Sequence, residues 1–150
     1  MATPFFKDTL AQQLKMLNLA VEKEMNNGLK ALDISLTGTQ VAVLMQLYLN
    51  TDQPLTQKQV EIALKLSHPT TRGIIKRLVT TGLLQTTPAA DDQRQIELRL
   101  TPAGTWFMKN HADQIQAQVT QTEDKLVSKL SAADQATLQR LLTTLLTTMY

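Results

Sequence analysis

Residues 66–82 read LSHPTTRGIIKRLVTTG, and this stretch decides the fold. Ser67 is a residue type that caps helices by accepting a hydrogen bond from an orphan N–H of the first turn. Pro69 suits that turn, where its missing N–H is not needed. Thr71, Ile74, Ile75 and Leu78 recur at helical spacing and define one apolar face. At about 100° per residue the opposite face holds Pro69, Gly73, Lys76 and Thr80, with Thr70 and Arg72 on its flanks. Gly82 stands where a helix commonly ends in a left-handed residue. From Lys65 to Thr81 the chain has four basic groups and no acid. Just upstream, Thr56 opens a shorter helix through Leu64, with Val60 and Ala63 expected to face inward. Two helices joined by a tight turn, the second basic, make a helix-turn-helix.

Working outward, Leu83 to Thr87 is short and apolar before it turns polar, and Pro88 to Gln93 reads as a polar loop. Ile96-Glu97-Leu98-Arg99-Leu100 alternates with the period of a strand. The pair predicts a β-hairpin wing with Asp91, Asp92 and Arg94 at its tip. Upstream, Thr37 and Gln40 form a capping box for a helix with Val41, Leu44, Met45, Tyr48 and Leu49 as its stripe. Asn50 to Pro54 is a loop. Thr3-Pro4 is expected to start a long first helix, with Phe6, Leu10, Leu14, Leu17, Val21, Met25, Leu29 and Leu32 on one side and Gly28 marking a bend. Thr101-Pro102 starts a fifth helix striped by Met108, Ala112, Ile115, Val119, Leu126 and Leu130. Ser131, with Asp134 three residues on, opens a last helix carrying Leu138, Leu141, Leu142, Leu145, Leu146 and Met149. The fold expected is mainly α with a small β-hairpin wing: four helices, a hairpin, then two helices. Residues 1–150 are expected to form a single domain in which 36–101 are the winged helix-turn-helix lobe. Residues 1–35 and 102–150 hold more apolar surface than that lobe can cover, so they are assigned to dimerisation with a second copy.

Composition narrows the function classes. Hydrophobic residues make up 43% of the 150, too many for a disordered chain. The absence of cysteine excludes disulfides and thiolate metal sites and suits a cytoplasmic protein. No apolar run reaches membrane-spanning length, and the first residues lack the pattern of a signal peptide. The net charge is only +2, but residues 55–101 hold seven basic against four acidic groups, and the remainder eight against nine. A basic middle between near-neutral ends is the footprint of a nucleic-acid-binding module. There is no glycine-rich phosphate loop, nucleophile elbow or histidine metal motif, and His68 and His111 are far apart. No catalysis, cofactor or metal is expected.

Four stretches resemble the MarR family of transcriptional regulators. Leu36-Thr37-Gly38-Thr39-Gln40 through Leu44 is similar to the family's second-helix opening. Leu66 to Thr70, Lys76-Arg77-Leu78 and Gly82-Leu83-Leu84 are similar to its recognition helix and exit. Asp92-Gln93-Arg94, followed by Leu98 to Gly104, resembles its wing signature, and Leu130 to Asp134 its last helix start. Two positions depart from the pattern. Lys65 stands where the turn usually has glycine; a positive φ would cost a lysine about 1 kcal/mol, so a differently shaped turn is expected. Gly73 stands where the family often has arginine, and Arg72 is expected to substitute.

The resemblance implies a homodimer that binds a pseudo-palindromic double-stranded DNA operator and represses by occupancy, relieved by a small aromatic or amphipathic ligand. Arg72 suits base contact, because a guanidinium can engage guanine with two hydrogen bonds. Pro69 and Thr70 would lie near base edges. Lys76 suits phosphate, His68 is a phosphate contact or merely exposed, and Gly73 and Arg77 complete the DNA-facing set. The resemblance sends Arg94 into the minor groove. Asp92 either orients Arg94 or Arg77 or is a plain turn residue. Trp106, Phe107 and His111 line a ligand crevice on the family pattern, and pack in the core or dimer interface on the alternative. Two rival functions stand beside this one: a DNA-binding regulator without an effector, and a winged-helix scaffold for protein partners.

Overall fold

Every helix in the computed structural model, which describes residues 7–150, begins at a hydroxyl side chain. Helix α1 (Leu10–Ala31) starts behind Thr9, α2 (Gly38–Leu49) behind Thr37, α3 (Gln57–Leu64) behind Thr56 and α4 (His68–Thr80) behind Ser67. Helices α5 (Pro102–Leu126) and α6 (Ala132–Met149) follow Thr101 and Ser131. Thr37–Gln40 and Thr56–Gln59 are complete capping boxes, each satisfying two backbone donors reciprocally. The Thr3-Pro4 start lies outside the described residues. Lys7 and Asp8 form a turn with Asp8 at φ 61°, so α1 begins at Leu10.

Three helices end in the same way, with a left-handed residue and a six-residue backbone bond. Leu83 N–H donates to the Leu78 carbonyl after α4, Leu66 N–H to Glu61 after α3, and Ile34 N–H to Leu29 after α1, each at 3.0 Å. The left-handed residues are Gly82, Lys65 and Asp33. The turn at Lys65 therefore keeps the ordinary shape, and the lysine adopts φ 55° rather than reshaping it.

Strands β2 (Leu84–Pro88) and β3 (Ile96–Leu100) form the expected hairpin, in antiparallel register from Leu84 opposite Leu100 to Pro88 opposite Ile96. Pro88 thus ends the strand rather than beginning the loop. A two-residue strand β1 (Leu55–Thr56) adds to the far side of β3, with Leu55 opposite Leu98. Sequence patterning ends the preceding loop at Pro54, leaves Leu55 unassigned and gives Thr56 only as a helix cap, so β1 is an element it does not predict.

Two core clusters hold the elements together. One, built on Val43, Leu44, Leu47, Val60, Leu78, Leu84, Leu98 and Met108, joins α2, α3, α4, the sheet and the start of α5. The other joins α1, α2 and α5 through Leu29, Ile34, Val41 and Ile115. Ala63 is exposed; the inward positions of α3 are Gln57, Val60 and, partly, Leu64. Gly28 does not break α1. Its reason is spatial: a Cβ there would fall on the side chain of Gln118 from α5. Helix α5 ends at Leu126, so Leu130 belongs to the connection before α6. Helix α6 buries no residue at all. No helix among the described residues is long and apolar enough to cross a membrane.

Candidate nucleic-acid interface

Helix α4 is divided cleanly by burial. Thr71, Ile75 and Leu78 are buried and Ile74 is half-buried, so the apolar face read from the sequence is the packed one. Thr71 is polar yet fully buried because its hydroxyl donates to the Ser67 carbonyl at 2.9 Å. Everything expected to meet DNA lies on the other side: His68, Pro69, Thr70, Arg72, Gly73, Lys76 and Arg77 are all exposed. Thr70 is tied to the cap, its hydroxyl accepting from Ser67 Oγ at 2.8 Å. Among the described residues Arg72, Lys76 and Arg77 make no ion pair, so their charges stand unneutralised on the exposed side of the helix. No described residue lies within 4 Å of the place a Gly73 Cβ would occupy.

The wing tip is folded by its own backbone. Ala89 is buried, its N–H donating to the Gln95 carbonyl at 2.9 Å, and Gln95 N–H donates to the Asp92 carbonyl. Asp92 Oδ1 accepts the Arg94 backbone N–H at 3.0 Å and lies 3.9 Å from Arg94 Nε. Of the two arginines considered for it, Asp92 thus meets Arg94. The Arg94 side chain is 97% exposed and projects from the tip.

Two residues not singled out in the sequence complete the site. Glu61 Oε1 accepts from Gln57 Nε2 at 2.9 Å and lies 2.7 Å from His68 Nδ1. The Gln57 amide foremost, then the imidazole and Lys58, hold the Glu61 carboxyl below the usual range against its partial burial. The spacing of Gln57 and Glu61, four apart on a helix, is readable from sequence; the reach of His68 across the turn is not. A cleft of about 460 Å³ between α3, the start of α4 and the wing brings His68 and Arg94 to a common rim.

Trp106, Phe107 and His111 form a cluster of their own at the start of α5. The Phe107 and His111 rings stack at 4.5 Å, His111 Nδ1 donates to the Phe107 carbonyl at 2.8 Å, and Trp106 meets the imidazole edge-on. Phe107 packs against both core clusters, while Trp106 is 64% exposed. A separate cavity of about 550 Å³ lies between α1, α2 and the turn after α3, lined by Met25, Thr37, Leu66 and Val119 among others. None of the three aromatic-cluster residues lines it.

Residues 34–95 match the profile of the MarR family, spanning α2 through the wing tip. Solved structures resemble nearly the whole chain. A probable transcriptional regulator from Pseudomonas aeruginosa is 28% identical, with a TM-score of 0.73 over 92% of this chain and 97% of that one. MepR of S. aureus in complex with DNA is 24% identical, with a TM-score of 0.76 over 95% and 99%. BpsR of Bordetella bronchiseptica, whose DNA binding is regulated by 6-hydroxynicotinic acid, is 21% identical, with a TM-score of 0.75 over 96% and 97%. No curated protein matches the chain.

Proposed function

We propose that this chain, a MarR-family protein by its residues 34–95, is a homodimeric DNA-binding transcriptional regulator of the cytoplasm. The observation that carries the reading is the outward face of α4, basic and free of acids from Lys65 to Thr81, with Arg94 projecting from the adjacent wing. An α-helix fits the major groove, and two such helices of a dimer would read a pseudo-palindromic operator in successive grooves. Arg72 takes the base contact, with Pro69 and Thr70 beside it. Lys76, Arg77 and His68 take phosphate, and Arg94 enters the minor groove, oriented by Asp92. Residues 36–101 act as the DNA-binding lobe, and 1–35 with 102–150 as the dimerisation region. Repression is by occupancy. A small aromatic or amphipathic ligand, stacking at Trp106, Phe107 and His111, shifts the spacing of the two lobes and releases DNA. The acid-free basic face weighs against a scaffold for protein partners.

The test separates two kinds of contact on a duplex selected from random DNA. Arg72→Ala should cost about 1–3 kcal/mol and relax preference at one operator position. Lys76→Ala should weaken all sequences alike and lower the salt slope by about one. Identical behaviour of the two variants would contradict the groove assignment, and salt-independent binding would contradict the function.

A further inference from the structure

We infer that Glu61, braced by Gln57, positions the His68 imidazole as a proton-linked contact to the DNA backbone; this deepens, and rests on, the DNA-binding reading above. An ionised carboxylate can only accept hydrogen bonds. Glu61 Oε1 takes the Gln57 amide at 2.9 Å, so the 2.7 Å approach of His68 Nδ1 requires a proton on that nitrogen. The 3.0 Å between Gln57 Nε2 and His68 Nδ1 is then the spacing of two donors converging on one oxygen. The ring is held in one tautomer, with Nε2 left as its unused nitrogen. Burial is graded the same way: Gln57 is buried, the Glu61 side chain is 11% exposed and the His68 side chain 64%. The anion sits beneath and the imidazole on top, on the rim shared with Arg94. A duplex strand dividing the groove read by α4 from the groove entered by the wing must cross that rim.

Neutral His68 would turn a lone pair toward a phosphate, and protonated His68 an N–H. Once phosphate arrives, the ring lies between two anions, and its charged form is favoured. The groups that oppose protonation are Lys58 of α3 and Arg94 of the wing, which line the cleft, Arg72 one turn along α4, and the positive end of α4 itself. Phosphate offsets these cations on binding, while Glu61 remains anionic throughout the range in which an imidazole titrates. Binding therefore draws a proton onto His68, and affinity falls as pH rises.

The experiment follows anisotropy of a fluorescein-labelled mixed-sequence duplex from about pH 5.5 to about pH 8.5, the span of an imidazole, at one fixed low salt concentration. The wild-type protein should lose about three- to tenfold in affinity per protomer across it, the scale of a single proton taken up on binding. His68→Gln should flatten the profile, and Glu61→Gln should make it shallower. Circular dichroism establishes that the variants are folded. Independently of DNA, ¹⁵N shifts of the wild-type ring should place the proton of neutral His68 on Nδ1. A flat wild-type profile, a wild-type slope in His68→Gln, or a proton on Nε2 would overturn the inference while leaving DNA binding intact. Absence of binding at every pH would remove the DNA-binding reading and this inference with it.

Discussion

Gly73 sits in the middle of α4, with ordinary helical backbone and open space where a Cβ would be. A glycine there costs about 1 kcal/mol relative to alanine, and no contact among the described residues needs it. The DNA-binding reading proposed above gives it a use, close approach of the duplex to the helix backbone. Gly73→Ala should raise stability by about 0.5–1 kcal/mol in urea unfolding. The same change should weaken binding to a selected operator by about 1 kcal/mol, the scale of one base contact. Unchanged binding would move Gly73 off the groove. Lys65 teaches a different lesson about what sequence shows. The cost of φ 55° was legible in the residue type, but its resolution was not. The Leu66 bond to Glu61 and the Lys65 bond to Ile62 fix the turn. The Lys65 ammonium also lies 4.8 Å from the centre of the Tyr150 ring, a contact from the far end of the chain that no local pattern announces. A strain of about 1 kcal/mol is absorbed when several such contacts agree.

At the scale of elements, glycine also marks where two segments touch. Gly104, at the third position of α5, lies so close to the Leu83 backbone carbonyl that an added Cβ would collide with it. Thr101 fastens the same junction, its hydroxyl donating to the Gly82 carbonyl at 2.6 Å and its N–H to Leu83 at 3.1 Å. Gly104→Ala must push α5 away from the end of α4 and should lose about 1–3 kcal/mol, the usual cost of overpacking. Gly28→Ala meets first the flexible end of the Gln118 side chain, which can rotate, and gains helix propensity. Thermal melts should rank Gly104→Ala well below Gly28→Ala; the reverse order would mean that the α4–α5 junction yields more easily than the α1–α5 contact. These cases explain what the sequence disclosed. The caps at Thr37, Thr56, Ser67, Thr101 and Ser131 involve neighbours three apart, and they read correctly, whereas the Thr9 cap of α1 was missed. Strand β1 did not, because its pairing with β3 is some forty residues distant and Thr56 also serves as a cap. Ala63 was misplaced because α3 has eight residues, too few for its periodicity to fix a face. The His68–Glu61 contact spans a turn whose geometry depends on Lys65, so its partners were invisible while His68 itself was not.

For the molecule as a whole, the largest unanswered quantity is apolar surface. Helix α6 has 18 residues and buries none of them, yet Leu138, Leu141, Leu142, Leu145 and Leu146 recur along it. Leu10, Leu14 and Leu17 of α1 and Leu126 at the end of α5 are exposed as well. Isolated helices of this length are marginal in water, and most of their stability comes from packing an apolar face. A single-chain α6 lacks that packing, so the simplest cover is the same surface of a second copy, in a symmetric pair. Within a dimer the two α4 helices would be held at a fixed spacing, and each half-site would raise the effective concentration of the other lobe. Leu142→Glu and Leu145→Glu place charges in the middle of this face. Sedimentation should show the wild-type chain as a dimer at micromolar concentration, with a melting temperature that rises with protein concentration. Either variant should sediment as a monomer or unfold, and the two outcomes are separated by far-ultraviolet circular dichroism. If the lobe stays folded while α6 loses helicity, the winged part is stable alone and the dimer serves α6. If helicity is lost throughout, assembly and folding are one equilibrium. DNA affinity should fall in both cases by far more than any single phosphate contact, because the second half-site is lost entirely. A wild-type chain that is monomeric, with α6 helical and melting independent of concentration, would overturn the dimer and leave the leucines of α6 to a different partner.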